Sequence, residues 1–174
     1  ICRDLNVLPL PDYELFQGNF YNRKFPGFVG KKLFPYHSSR GCHWRCGFCE
    51  SSFQSPELRI RTKVKEDLIY LKEKYQPEIF IIQDELLPYY SKEWRESWEN
   101  FHHPFACYLR ADISPAHLTW LHDRGLVGCF FGVESGDENH RNNGLGKRLL
   151  DKDIYRTVGM LKEMNITYMT AWMQ

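Results

Sequence analysis

Five short apolar runs, at residues 33–39, 78–83, 105–111, 127–133 and 167–173, constrain what this chain can fold into more than any other feature. The clearest is EIFIIQ at 78–83, β-branched and aromatic without polar interruption, which predicts a strand covered on both faces. Between the runs the period changes from strand to helix. Residues 63–75 place Val64, Leu68, Leu71 and Tyr75 on one helical face. Ser91 is placed to cap a helix running to about Asn100, with Trp94 and Trp98 on one side. Ser114 caps another, opened by Pro115 and closed at Gly125, and residues 149–164 form the longest helical pattern. Five strands alternating with four helices predict repeated βαβ units, an α/β fold with a parallel sheet. Right-handed crossovers let such strands wind into a barrel or lie open, and the pattern alone does not choose.

The 174 residues suit one core, and a 43% hydrophobic content with balanced charges excludes a disordered chain. A formal net charge of +1 gives no basic field for a dedicated nucleic-acid binder. No apolar run reaches membrane-span length, and ICRDLNVLPLPD lacks a signal-peptide pattern, so a cytoplasmic protein is expected. Residues 1–32 carry Pro9, Pro11, Gly18, Pro26, Gly27 and Gly30 among aromatics and read as an irregular lead-in or linker. Residues 33–174 read as the core. A start without methionine and an end within a strand-like run lead us to expect a segment of a longer protein, with its last strand and helix beyond Gln174.

Six cysteines would suggest disulfides in a secreted chain, but three of them, Cys42, Cys46 and Cys49, lie within eight residues. The spacing C-x3-C-x2-C lets three thiolates wrap one inorganic cube, each on a different iron. Ferredoxin-type clusters are completed by a fourth cysteine, and none is nearby here. Three ligands leave one iron open, and an open metal position is where chemistry occurs. The loop follows the first strand, where α/β folds bind ligands beyond the carboxyl ends of their strands. Two other readings stay open: a structural zinc module using the same cysteines with His37 or His43, and an iron–sulfur electron carrier.

The stretch SSRGCHWRCGFC, with Phe48 just before the last cysteine, resembles the signature of the radical S-adenosylmethionine (SAM) superfamily. The preceding DLNVLPLPDYELF is similar to the linker of the subgroup whose radical domain follows a cobalamin-binding domain, which includes methyltransferases and an anaerobic magnesium-porphyrin ester cyclase. The resemblance implies a partial (β/α) radical SAM barrel, about five strands long. It also implies a [4Fe–4S] cluster on Cys42, Cys46 and Cys49. SAM would chelate the open iron and be cleaved reductively to a 5′-deoxyadenosyl radical for hydrogen abstraction or methyl transfer. Cobalamin, if used, would sit on a domain outside this chain, and an electron donor such as flavodoxin or ferredoxin would supply the electron. The substrate, a small molecule or peptide, is not readable.

The same resemblance assigns further residues. Phe48 would lie against the adenine. Asp84 and Glu85, ending the second strand, would hold the SAM amino group, although the family's Gly-Gly-Glu version is absent; an acidic turn is the alternative. Arg110 would grip the SAM carboxylate, or else form a local salt bridge to Asp112. Glu134 and Ser135, ending the fourth strand, would touch the ribose or methionine end. Cys107 and Cys129 read as buried hydrophobes.

Overall fold

The computed structural model describes residues 4–15, 27–52 and 59–173; Cys2, Gly18 and Pro26 lie outside them. The apolar runs form a five-stranded parallel sheet: β1 (Leu33–Tyr36), β4 (Ile79–Ile82), β5 (Phe105–Tyr108), β6 (Leu126–Glu134) and β7 (Thr167–Trp172), side by side in chain order. The helices α1 (Val64–Tyr75), α2 (Lys92–Ser97), α3 (Pro115–Asp123) and α4 (Asp151–Glu163) fill the connections. Two further strands, β2 (Ser39–Arg40) and β3 (Arg59–Ile60), pair antiparallel beside the sheet. β1 and β7 each have one sheet neighbour, so the sheet is not closed.

All four helices pack on one face. Phe34, Phe80, Ile82, Cys107, Cys129, Phe131 and Val133 alternate along the strands and meet Leu68, Leu71, Trp94, Leu118 and Leu161 in one core. The opposite face carries a smaller cluster of Leu33, Ile79, Ile81 and Ala106, capped by Phe28. Strands added in order with every helix on one side are what a sequence of right-handed crossovers produces, and the arrangement is a section of a (β/α) barrel. Phe28 presses so closely on the sheet that a Cβ at Gly128 would lie 2.4 Å from its ring. Only glycine admits that approach.

The predicted helix starts hold in their caps: the Ser91 hydroxyl accepts from the Trp94 N–H, and the Ser114 hydroxyl from the His117 N–H. The second helix stops at Ser97 rather than Asn100, where Asn100 turns to φ +61°. The first strand also ends early. It stops at Tyr36 because the chain bends at residues 37–38 and starts the separate pair β2–β3.

The lead-in contributes two short 3-10 turns, Leu5–Val7 and Tyr13–Leu15. Leu5 and Tyr13 are buried, and the Tyr13 ring lies 4.6 Å from that of Phe34. Arg61 ties this segment down by donating to the carbonyls of Leu5 (2.6 Å) and Leu8 (2.8 Å) while pairing with Asp67. Asp67 also accepts from the Tyr36 hydroxyl at 2.8 Å. Among the described residues, no helix is long and apolar enough to cross a membrane.

Candidate metal centre

The cysteine loop leaves the sheet at the carboxyl end of β1, and a buried carboxylate bends it there. Asp84, two residues beyond β4, accepts from the backbone N–H groups of Ser38 (2.7 Å) and Ser39 (3.1 Å). It also accepts from both serine hydroxyls, with Ser39 Oγ at 2.7 Å. The Trp94 indole donates to Ser38 Oγ at 2.7 Å, which commits that hydroxyl's own hydrogen to Asp84. Asp84 is 1% exposed. Its burial outweighs the four hydrogen bonds and pushes its pKa up to about 6. Neighbouring Glu85 remains exposed and accepts from the Gly41 N–H at 3.1 Å. Gly41 adopts φ +94°, a conformation that glycine takes without strain, and this turns the chain into the cysteines.

Beyond Gly41, Cys42 and Cys49 are partly exposed and Cys46 is buried. The Cys49 N–H donates to the Cys46 carbonyl at 3.1 Å, folding the second half of the loop into a tight turn. Burial pushes the Cys42 thiol up, and negative charge on Cys46 and Cys49 raises it further. Cys107 and Cys129 are far from this role. They occupy paired positions on β5 and β6, fully buried, and burial raises both thiols, Cys129 to about 12. They act as small hydrophobes, as the sequence implied.

Arg110, just past β5, reaches the loop from below. Its guanidinium lies 3.7 Å from the centre of the Trp44 ring and donates to Cys46 Sγ at 3.9 Å. It also pairs with Asp112 at 3.1 Å, the local partner anticipated for it. Glu134 ends β6 at φ +71° and forms an ion pair with Lys147 at 2.7 Å, both side chains nearly buried. The Lys147 amine also sits 5.6 Å from the centre of the Phe48 ring. Phe48 is 38% exposed, and Ser135 is partly exposed.

The structure thus gathers Phe48, Glu134 and Lys147 at one side of the cysteine loop, with Arg110 beneath it and Asp84 at its root. Sequence reasoning missed the segment that closes this side. After the single widened turn His140–Gly144, the Leu145 carbonyl accepts from the Gly47 N–H at 2.9 Å. Buried Arg141 holds that turn through the carbonyls of Leu149 (2.8 Å) and Ser135 (2.7 Å) and through Asp151. The signal was a polar, glycine-containing stretch (RNNGLGKR) of no clear period, which gives no hint that it folds onto residues a hundred positions earlier.

Among the described residues, no three His, Cys, Asp or Glu side chains converge as a set that could hold a metal ion. This holds for Cys42, Cys46 and Cys49, with or without His37 or His43. His43 instead leans on the rings of Trp44 (5.2 Å) and Tyr90 (4.5 Å). A four-iron cube makes a different demand, since its thiolates bind separate corners. Three thiols on one loop, with the other described cysteines locked in the sheet, fit that demand by their chemistry.

Comparison with solved structures places this architecture. TsrM from Kitasatospora setae, a radical SAM methyltransferase with cobalamin and a [4Fe–4S] cluster bound, aligns at a TM-score of 0.66 and 14% identity, over 80% of this chain and 28% of its own. Its complex with tryptophan and the SAM analogue aza-SAM aligns at 0.66 and 15% identity, over 79% and 30%. OxsB, a cobalamin-dependent SAM radical enzyme with aqua-cobalamin bound, aligns at 0.62 and 18% identity, over 79% and 23%. In fold, the chain matches radical SAM enzymes. It spans less than a third of the length of these neighbours. No protein-family model matches the sequence, and no curated protein matches it either.

Proposed function

We propose that this chain is the cluster-binding core of a cytoplasmic radical SAM enzyme. One observation carries the reading: a C-x3-C-x2-C loop stands at the carboxyl end of the first strand of a (β/α) barrel section, in the fold shared with TsrM and OxsB. Cys42, Cys46 and Cys49 would hold the [4Fe–4S] cluster. Bound there with SAM, the cluster supplies one-electron reductive cleavage, the source of a radical for hydrogen abstraction or methyl transfer on an organic substrate. Cobalamin enters this proposal only on a domain outside the chain, and the electron from a flavodoxin- or ferredoxin-like donor.

The chain's own residues prepare the site. Asp84 fixes the root of the loop through Ser38 and Ser39, so the thiols are presented from a rigid stem. Exposed Glu85 and partly exposed Ser135 and Phe48 are the rim groups suited to the amino, ribose and adenine parts of SAM. Glu134 would contribute a carboxylate whose charge Lys147 balances. The 145–148 segment lies against one flank of the loop, the Leu145 carbonyl accepting from the Gly47 N–H.

Anaerobic reconstitution with iron and sulfide tests the cysteine assignment. The wild-type chain is expected to bind about four irons and four sulfides. Cys42→Ala, Cys46→Ala and Cys49→Ala should each lose the cluster's visible absorbance, while Cys107→Ala and Cys129→Ala retain it. Retention in all three loop variants, or stoichiometric zinc in place of iron, would overturn the reading.

A further inference from the structure

Arg110 is heavily engaged by its neighbours. Nε and NH2 are both taken by Asp112, at 3.1 Å each, and NH2 also donates to the carbonyls of Lys147 (2.8 Å) and Arg148 (3.3 Å). NH1 donates to Cys46 Sγ at 3.9 Å, and the guanidinium plane covers the Trp44 ring at 3.7 Å. Trp44 lies in the spacer between Cys42 and Cys46, so one side chain grips the loop both at a thiol and between two thiols. Only 7% of the residue is exposed.

We propose that Arg110 is a positioning residue for the cluster: it docks Cys46 and raises the cluster's reduction potential, with Asp112 setting how much of its charge the cluster feels. This rests on the reading that Cys42, Cys46 and Cys49 hold the cluster. Adding an electron makes the cluster and its thiolates more negative. A buried cation that donates to one of those sulfurs stabilises the reduced state more than the oxidised one. Hydrogen bonds to the sulfurs and exclusion of solvent are among the factors that set such potentials. Asp112, with a side chain 22% exposed, offsets part of the cation's charge.

The test is a potentiometric titration of the reconstituted full chain, read by the reduced cluster's paramagnetic signal, beside SAM affinity. Arg110→Gln is expected to reduce the reduced-to-oxidised ratio at fixed potential about tenfold, about 59 mV for a one-electron couple. Arg110→Lys keeps the charge and should stay close to wild type. Asp112→Asn removes the countercharge and should move the potential in the opposite direction. It leaves Arg110 in place, so it decides the matter if Arg110→Gln fails to hold its cluster. Wild-type and variant chains that share one potential would overturn the inference, as would variants that lose SAM affinity with the potential unmoved. A wild-type chain holding no iron and sulfide would overturn the functional reading and this inference with it; a loaded wild type overturns at most the inference.

Discussion

Asp84 shows how much a single buried carboxylate can decide. It accepts four hydrogen bonds from two consecutive serines, and those bonds turn the chain from β1 into the cysteine loop. The same burial that makes the clamp rigid makes its charge costly, with the pKa pushed up to about 6 from an ordinary value of 3.8. For an acid raised in the folded state, the stabilising contribution is present below the unfolded value and is lost as pH rises through the folded one. The shift corresponds to something on the order of 3 kcal/mol across that window. Wild-type stability, followed by thermal unfolding of the cluster-free chain, should therefore fall between pH 4 and pH 7. Asp84→Asn should lack that component. Identical pH profiles for the two chains would contradict the assignment. In the sequence, Asp84 was one of two carboxylates ending the second strand, assigned with Glu85 to the SAM amino group by resemblance and not to the loop's root. The sequence could not show that Ser38, Ser39 and Trp94 lie around it, since those contacts cross about fifty positions of chain.

Among the elements, the parallel strands and the four helices were legible because each has its own period or cap: EIFIIQ for β4, the Val64–Leu68–Leu71 stripe for α1, Ser114–Pro115 for α3. The pair β2–β3 was not legible, for two residues per strand carry no period. Nor was the segment after β6, whose buried Arg141 and Lys147 look like surface charges in sequence. Lys147 is the clearest case, because its ion pair with Glu134 joins the end of β6 to the segment lying on the cysteine loop. Removing one partner of a buried pair leaves the other uncompensated, at a cost of about 3–5 kcal/mol. Lys147→Met should lower the unfolding free energy obtained from urea titration by that amount, and adding Glu134→Gln should restore much of it. Additive losses in the double variant would show that the two side chains act independently.

For the whole molecule, the barrel section and the cysteine loop belong to one design. The helices pack on one face of the sheet, Phe28 caps the smaller cluster on the other, and the loop, Arg110 and the 145–148 segment all gather at the carboxyl rim. The alternation of strands and helices foretold the parallel sheet, but open and closed forms share that alternation. The strand order, with β1 and β7 as edges, was decided only in three dimensions. The motif told where the thiols are; the fold told what surrounds them. The most direct measurement of the central claim is electron paramagnetic resonance of the anaerobically reconstituted, reduced chain, recorded with and without SAM. A [4Fe–4S] signal that changes when SAM is added is the expected result, because three cysteines leave one iron open to it. A chain with no such cluster, or a cluster whose signal is indifferent to SAM, would contradict the account.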